Sequence, residues 1–211
     1  MVFVGAVTFT MAWPRSTAWA AGSAFQVPAG QRQLFLDDVG IVKIENLTRT
    51  MHQPAKKGAV IRPDTSLGMT SLQIRSAPSW DPKKQVYRLW DTSDPEDLNR
   101  QRLYCSGYHE SRDGLNWYQP VIGQVEHRGS QQNHFVRVMI DGKPARLYSV
   151  VYDPTEPDPA LRFKGLAHPA RMWQPVVGDG VTWQQLDVPP LSGMDELNLS
   201  FDEQTHLFIF T

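Results

Sequence analysis

The sequence predicts an all-β chain assembled from repeated four-stranded units, the blades of a β-propeller, and three observations predict it. Gly (15) and Pro (16) supply 31 of the 211 residues, with a proline about every thirteen positions, which leaves few windows long enough for a stable helix. The seven Trp, nine Phe and six Tyr gather in short runs with Val, Ile and Thr, the composition of pleated, half-buried surfaces. Two turn motifs recur along the chain in constant alternating order. Hydrophobic residues at 41% and charged residues at 20% supply a packed core and exclude a disordered chain. With 21 Lys+Arg against 22 Asp+Glu the net charge is -1, which gives no electrostatic basis for a nucleic-acid partner.

The first element is a leader. Met1 to Trp13 is nearly all apolar or small, and Pro14, Arg15 and the triplet Ala18-Trp19-Ala20 follow. Residues 1–20 read as a secretory signal peptide, shorter in its apolar part than the roughly 20 residues a bilayer span needs. Cleavage after Ala20 leaves residues 21–211 as one propeller domain, secreted or periplasmic and without membrane attachment. No Lys or Arg precedes the apolar run, which keeps a longer leader or an anchored tail open. The single Cys105 excludes an intrachain disulfide and a multi-Cys zinc site. The six histidines form no short-spaced ligand pair, so a metal site would have to be assembled from distant positions; no metal and no cofactor is expected.

The repeats come next. In "SWDPKKQVYRLWDT" (Ser79 to Thr92) a strand ends at a turn on Asp81-Pro82 and a new strand starts at Val86. "VVYDPTEPDPALRFKGLAH" (Val150 to His168) and "LSFDEQTHLFIFT" (Leu199 to Thr211) repeat the aromatic-Asp turn. Between them, "SRDGLNWYQP" (Ser111 to Pro120) and "GDGVTWQQLDVPP" (Gly178 to Pro190) share Asp-Gly-x-x-Trp. There the glycine supplies a left-handed turn residue, and Trp117 or Trp183 is the first large inward side chain of the return strand. The order is strand, Asp turn, strand, strand, Asp-Gly turn, strand: four antiparallel strands, one blade. The spacings of 72 residues from Asp81 to Asp153 and 49 from Asp153 to Asp202 exceed or match the roughly 40 to 50 of compact propeller repeats, so the blades carry long loops. A β-sandwich whose hairpins share turn chemistry is the alternative.

The stretch "RQLFLDDVGIVKIENLTRTMHQPAK" (Arg32 to Lys56), the Trp-Asp-Pro and Tyr-Asp-Pro turns, and "YHESRDGLNW" (Tyr108 to Trp117) together resemble a group of secreted bacterial proteins of the planctomycete type. That group is related to the five-bladed propellers of glycoside hydrolase families 32 and 43. The resemblance runs from about Gln31 to Thr211 and implies a five-bladed propeller, a central funnel and a carbohydrate partner. Two departures qualify it. At roughly 40 or more residues per blade only about two and a half blades fit, and the chain stops inside the apolar run Phe208 to Thr211, so a partial set of blades is expected. The Asn-Asp-Pro-Asn-Gly nucleophile and Glu-Cys acid/base motifs of family 32 are absent, Cys105 being preceded by Tyr104.

Glycoside hydrolysis needs two facing carboxylates about 5 to 9.5 Å apart. In a propeller they come from innermost strands, taken here at 70–75, 133–140 and 196–201. Asp195 and Glu196, with Asp38 of the Asp37-Asp38 pair, are the catalytic candidates, and Arg75, Asn133, His134 and Asn198 the substrate-binding ones. Each has a plainer reading: a strand-end cap for Asp38, a polar loop for Asp195-Glu196, a satisfied strand side chain for His134. Asp81, Asp153 and Asp202 fit backbone capping at their turns, and Glu110 a surface position. The sequence thus points to a glycoside hydrolase-like propeller. A non-catalytic carbohydrate-binding or scaffold propeller and a truncated inactive fragment are the alternatives.

Overall fold

The computed structural model describes residues 26–27, 29–30, 37–38, 41–92, 94–168, 172–193 and 197–211. The leader assigned to residues 1–20 and the acidic pair Asp195-Glu196 lie outside them. The chain divides into two compact units, Met1–Pro54 and Ala55–Thr211. The described residues of the first form neither helix nor strand. Arg49 organises them, its Nη1 donating to the Asp37 carbonyl at 2.9 Å and its Nη2 pairing with the Asp38 carboxylate at 2.8 Å.

The second unit is all-β, with a single 3-10 turn at Thr65–Leu67 among the described residues. No described helix is long and apolar enough to cross a membrane. Strands β1 (Ser79–Asp81), β2 (Val86–Asp91), β3 (Ser106–Ser111) and β4 (Trp117–Tyr118) form an antiparallel meander. Strand β5 (Phe135–Val136) pairs with the start of β3 on the edge that β4 leaves open. A second sheet runs from β6 (Val138–Ile140) through β7 (Lys143–Tyr152), β8 (Phe163–His168) and β9 (Gln174–Gly178) to β10 (Trp183–Gln185). Strands β11 (Leu199–Asp202) and β12 (Leu207–Phe210) make a separate hairpin.

The recurring turns build this pattern. Asp81 accepts from the N–H groups of Lys83 and Lys84 at 3.0 and 3.1 Å, Asp153 from that of Thr155 at 2.9 Å, and Asp202 from that of Gln204 at 2.9 Å. Each carboxylate satisfies backbone donors that the departing strand leaves unpaired, so all three aspartates are consumed by turn geometry. At the other turn type, Asp113 and Asp179 each accept from the N–H groups two and three residues on, at 2.7 to 2.8 Å. The expected inner strand at 133–140 is corrected. The apolar run there breaks at Asp141 (φ 49°) and Gly142 (φ 74°), and the strand that ends at Tyr152-Asp153 is β7, which starts at Lys143. Alternation alone does not register such a left-handed break.

Strand alternation sends Arg88, Trp90 and Tyr108 to the face of the first sheet that meets the second, and Leu89, Asp91 and His109 to the opposite face. Trp90 is the hub of the shared core, with ring centroids 5.7 Å from Tyr108, 5.4 Å from Phe163 and 5.9 Å from Trp183. Truncating so enclosed an aromatic costs about 3–5 kcal/mol. Two polar bonds lock the sheets in register: Trp90 Nε1 donates to the Gly180 carbonyl at 2.9 Å, and Arg88 Nη1 to the Asp179 carbonyl at 2.7 Å. Gly180 sits at φ 94°, and a Cβ there would fall 2.6 Å from the Arg88 guanidinium. The Asp-Gly turn therefore does more than reverse the chain; its bare glycine lets the neighbouring sheet's arginine approach.

Candidate functional site

In each recurrence of the pattern the first strand is β1, β7 or β11, and β7 packs beside both of the others. The residues leading into two of these strands, Gln73, Ile74 and Arg75 before β1 and Leu197 and Asn198 before β11, line an open cleft of about 370 Å³. Asn198 is fixed by reciprocal backbone bonds with Thr211 at 2.8 and 3.1 Å. Arg75 lies over the Tyr148 ring of β7, 5.1 Å from its centroid, so its guanidinium is oriented by a cation–π contact. Gln73 also lines a second cavity, of about 180 Å³, with Thr70, Ser71, Thr92, Asp94, Glu96 and Arg102. Asp94 pairs there with Arg146 and, at 3.6 Å, with Arg102. Arg146 in turn stacks on Tyr104 at 4.0 Å.

The structure thus brings together two of the residues singled out as substrate-binding, Arg75 and Asn198. The other two lie elsewhere, because the run that carries them breaks at Asp141-Gly142 before β7 begins. The Asn133 amide donates to the carbonyls of Val125 (2.8 Å) and Ser130 (3.3 Å) and accepts from the N–H of Phe135 (3.1 Å), so it is spent on shaping the loop before β5. His134 is buried beside β3, where its carbonyl accepts from the N–H of Tyr108 at 3.0 Å. Asp38 belongs to the first unit, exposed and paired with Arg49. Asp195 and Glu196 fall outside the described residues; the next two in sequence, Leu197 and Asn198, line the cleft.

A second constellation was not anticipated. Asp91 at the end of β2, His109 on β3 and His134 before β5 converge on the face of the first sheet opposite Trp90, and all three are buried. Asp91 pairs in register with Gly107, and a Cβ at 107 would lie 2.1 Å from Asp91 Oδ2. The missing side chain gives the carboxylate room to cross β3 and meet His109 Nε2 at 2.6 Å. The imidazole of His134 stacks obliquely on the His109 imidazole and the Phe135 phenyl ring, with centroids 5.3 and 4.8 Å away. Burial, and next the neighbouring His109, hold His134 down at about 4, so it is a neutral base at physiological pH. The apolar side chains of Met69, Cys105, Val125 and Phe135 form the adjoining cluster. Burial, reinforced by the charge of Asp91, pushes the Cys105 thiol far above its ordinary value. One carboxylate oxygen and one nitrogen from each imidazole lie within 4.8 Å of one another, a donor set suited to a divalent metal.

No family model matches the sequence, and no curated protein matches it. Among solved structures, an N-acetylgalactosamine deacetylase from F. plautii, in complex with blood group B trisaccharide, is similar over 62% of this chain and 37% of its own. The TM-score is 0.37 and the sequence identity 18%. The chain therefore spans less than two fifths of that enzyme's length.

Proposed function

We propose that this chain contributes blades to a five-bladed propeller of the glycosidase type, and that the cleft lined by Gln73, Arg75 and Asn198 binds carbohydrate. The propeller reading is supported by two meanders with the same strand order and the same pair of turn chemistries, followed by a hairpin that begins a third repeat. It is supported further by the packing of β7 beside both β1 and β11, the neighbour relation that first strands have around a shared axis. The number of blades, and the kinship with families 32 and 43, rest on the resemblance carried by Arg32 to Lys56, the Trp-Asp-Pro and Tyr-Asp-Pro turns and Tyr108 to Trp117. The observation that carries the ligand class is the chemistry of the cleft wall. Amide side chains at 73 and 198, beside a guanidinium at 75 oriented over Tyr148, offer donors and acceptors of the kind that grip vicinal hydroxyls.

Binding is the leading reading, because no carboxylate lines the cleft among the described residues, and of the two in the adjoining cavity, Asp94 and Glu96, Asp94 is committed to two arginines. Glycosidic hydrolysis is a second reading, favoured by the position of Asp195 and Glu196 immediately before two cleft residues. Export with removal of residues 1–20 belongs to the same proposal, and mass spectrometry of the mature chain would then start it at Ala21. Binding is tested by titrating the protein against a panel of neutral and acidic polysaccharides. Arg75→Ala and Asn198→Ala are each expected to weaken the best ligand at least about tenfold, the size of one or two lost hydrogen bonds. Unchanged affinity in folded variants would rule the cleft out. Reducing-sugar release that disappears in Asp195→Asn/Glu196→Gln would assign hydrolysis to that pair.

A further inference from the structure

We propose that Asp91, His109 and His134 form a binding site for one divalent transition-metal ion of the zinc class, enclosed in the first sheet between β2, β3 and the start of β5. The site is independent of the carbohydrate cleft and departs from the expectation of no metal.

Four observations converge on it. The three side chains each offer one ligand atom, and those atoms lie within 4.8 Å of one another, so small torsional adjustments bring them to the separations that a tetrahedral ion imposes. Two imidazole nitrogens, His109 Nδ1 and His134 Nε2, are buried without a hydrogen-bond partner among the described residues. Buried polar atoms are normally satisfied, and two such atoms on neighbouring rings point to a ligand that both can reach. Gly107 leaves open the space through which the Asp91 carboxylate reaches the histidines, space a Cβ would fill. The surroundings are dry and apolar, with Phe135 against His134 and the cluster of Met69, Cys105 and Val125 alongside, which strengthens any charge interaction inside.

The donor chemistry selects the class of ion. Two imidazoles and one carboxylate suit zinc and its neighbours in the first transition row, whereas calcium and magnesium prefer oxygen throughout. Without metal the same three groups would be a hydrogen-bonded pair and a stranded histidine, and the experiment separates those two states.

The 211-residue chain is stripped with EDTA, dialysed, loaded with zinc at neutral pH and desalted, and the retained metal is measured by plasma mass spectrometry. About one zinc per chain is expected, with a rise in Tm and uptake at least about tenfold weaker in His134→Gln and His109→Gln. Cobalt(II) supplies a readout that needs no variant: nitrogen and oxygen ligands give visible ligand-field bands without the intense near-ultraviolet charge transfer of a thiolate. Retention of less than about a tenth of an equivalent of zinc, cobalt or manganese, with Tm unmoved, would overturn the proposal. So would a thiolate band, which would assign the metal to Cys105. Full retention in a folded His109→Gln/His134→Gln variant, judged by circular dichroism, would place the metal elsewhere and overturn it equally.

Discussion

Acid should destabilise this fold through His134 at a pH where its carboxylates are still ionised. The folded protein refuses a proton at His134 until about 4, because the ring is buried and faces His109; the charges of Asp91 and Asp64 act in the opposite sense without restoring the ordinary value. The unfolded chain accepts that proton near the ordinary 6.5. A depressed histidine contributes stability that is complete above the unfolded value and is lost as pH falls from there toward the folded one. Each tenfold difference in proton affinity is worth about 1.4 kcal/mol, so the loss reaches about 2 kcal/mol at pH 5 and about 3 kcal/mol by pH 4. Urea unfolding followed by tryptophan fluorescence, in EDTA to exclude metal, measures it between about pH 7 and pH 5. His134→Gln cannot titrate, so its stability should fall less over that interval, by about 2 kcal/mol. The comparison is between slopes, which makes the variant's own loss of stability immaterial. Parallel slopes would refute the reasoning, because they would mean that His134 takes up its proton in the folded state as readily as in the unfolded one.

Two further outcomes follow from buried groups. Arg88→Met removes a cation that pairs with Asp81 at 3.2 Å and donates to Tyr108 and Asp179, and the broken buried pair should cost about 3–5 kcal/mol in urea unfolding. A loss below about 1 kcal/mol would show that the sheets hold their register without it. Cys105, raised by burial and by Asp91, should be inert to a thiol reagent near pH 8 in the folded chain and react fully in denaturant; rapid labelling of the folded chain would contradict its enclosure.

The β-class and the strand order were legible because turn chemistry is local. Asp81, Asp153 and Asp202 cap backbone donors two or three residues away, and Asp113 and Asp179 do the same at the Asp-Gly turns, so each motif carries its own geometry. Inner-strand placement failed where locality misled. The run from Asn133 to Ile140 alternates as a strand should, yet Asn133 folds its amide back on its own loop and Asp141 turns left-handed before β7 begins. An Asp-Gly pair at 141–142 was the available signal, the same dipeptide already read as a turn at 113–114 and 179–180.

The buried triad was illegible for the opposite reason. Asp91, His109 and His134 are separated by 18 and 25 residues, with no spacing that helix or strand periodicity brings together. Their meeting depends on a register, Asp91 opposite Gly107 and Leu89 opposite His109, that the hairpin lengths set and composition does not encode. Asp91 also follows Trp90, whose aromatic ring faces the other side of the sheet and dominates the shared core. One strand therefore carries two unrelated tasks on its two faces. Arg88 and Trp90 fix the neighbouring sheet, while Asp91 crosses β3 to the histidines, and a one-residue slip of β2 would exchange the faces and destroy both at once. That coupling gives the triad its rigidity: the Arg88 and Trp90 bonds to Asp179 and Gly180, formed on one face, hold the register that aligns Asp91 with His109 on the other.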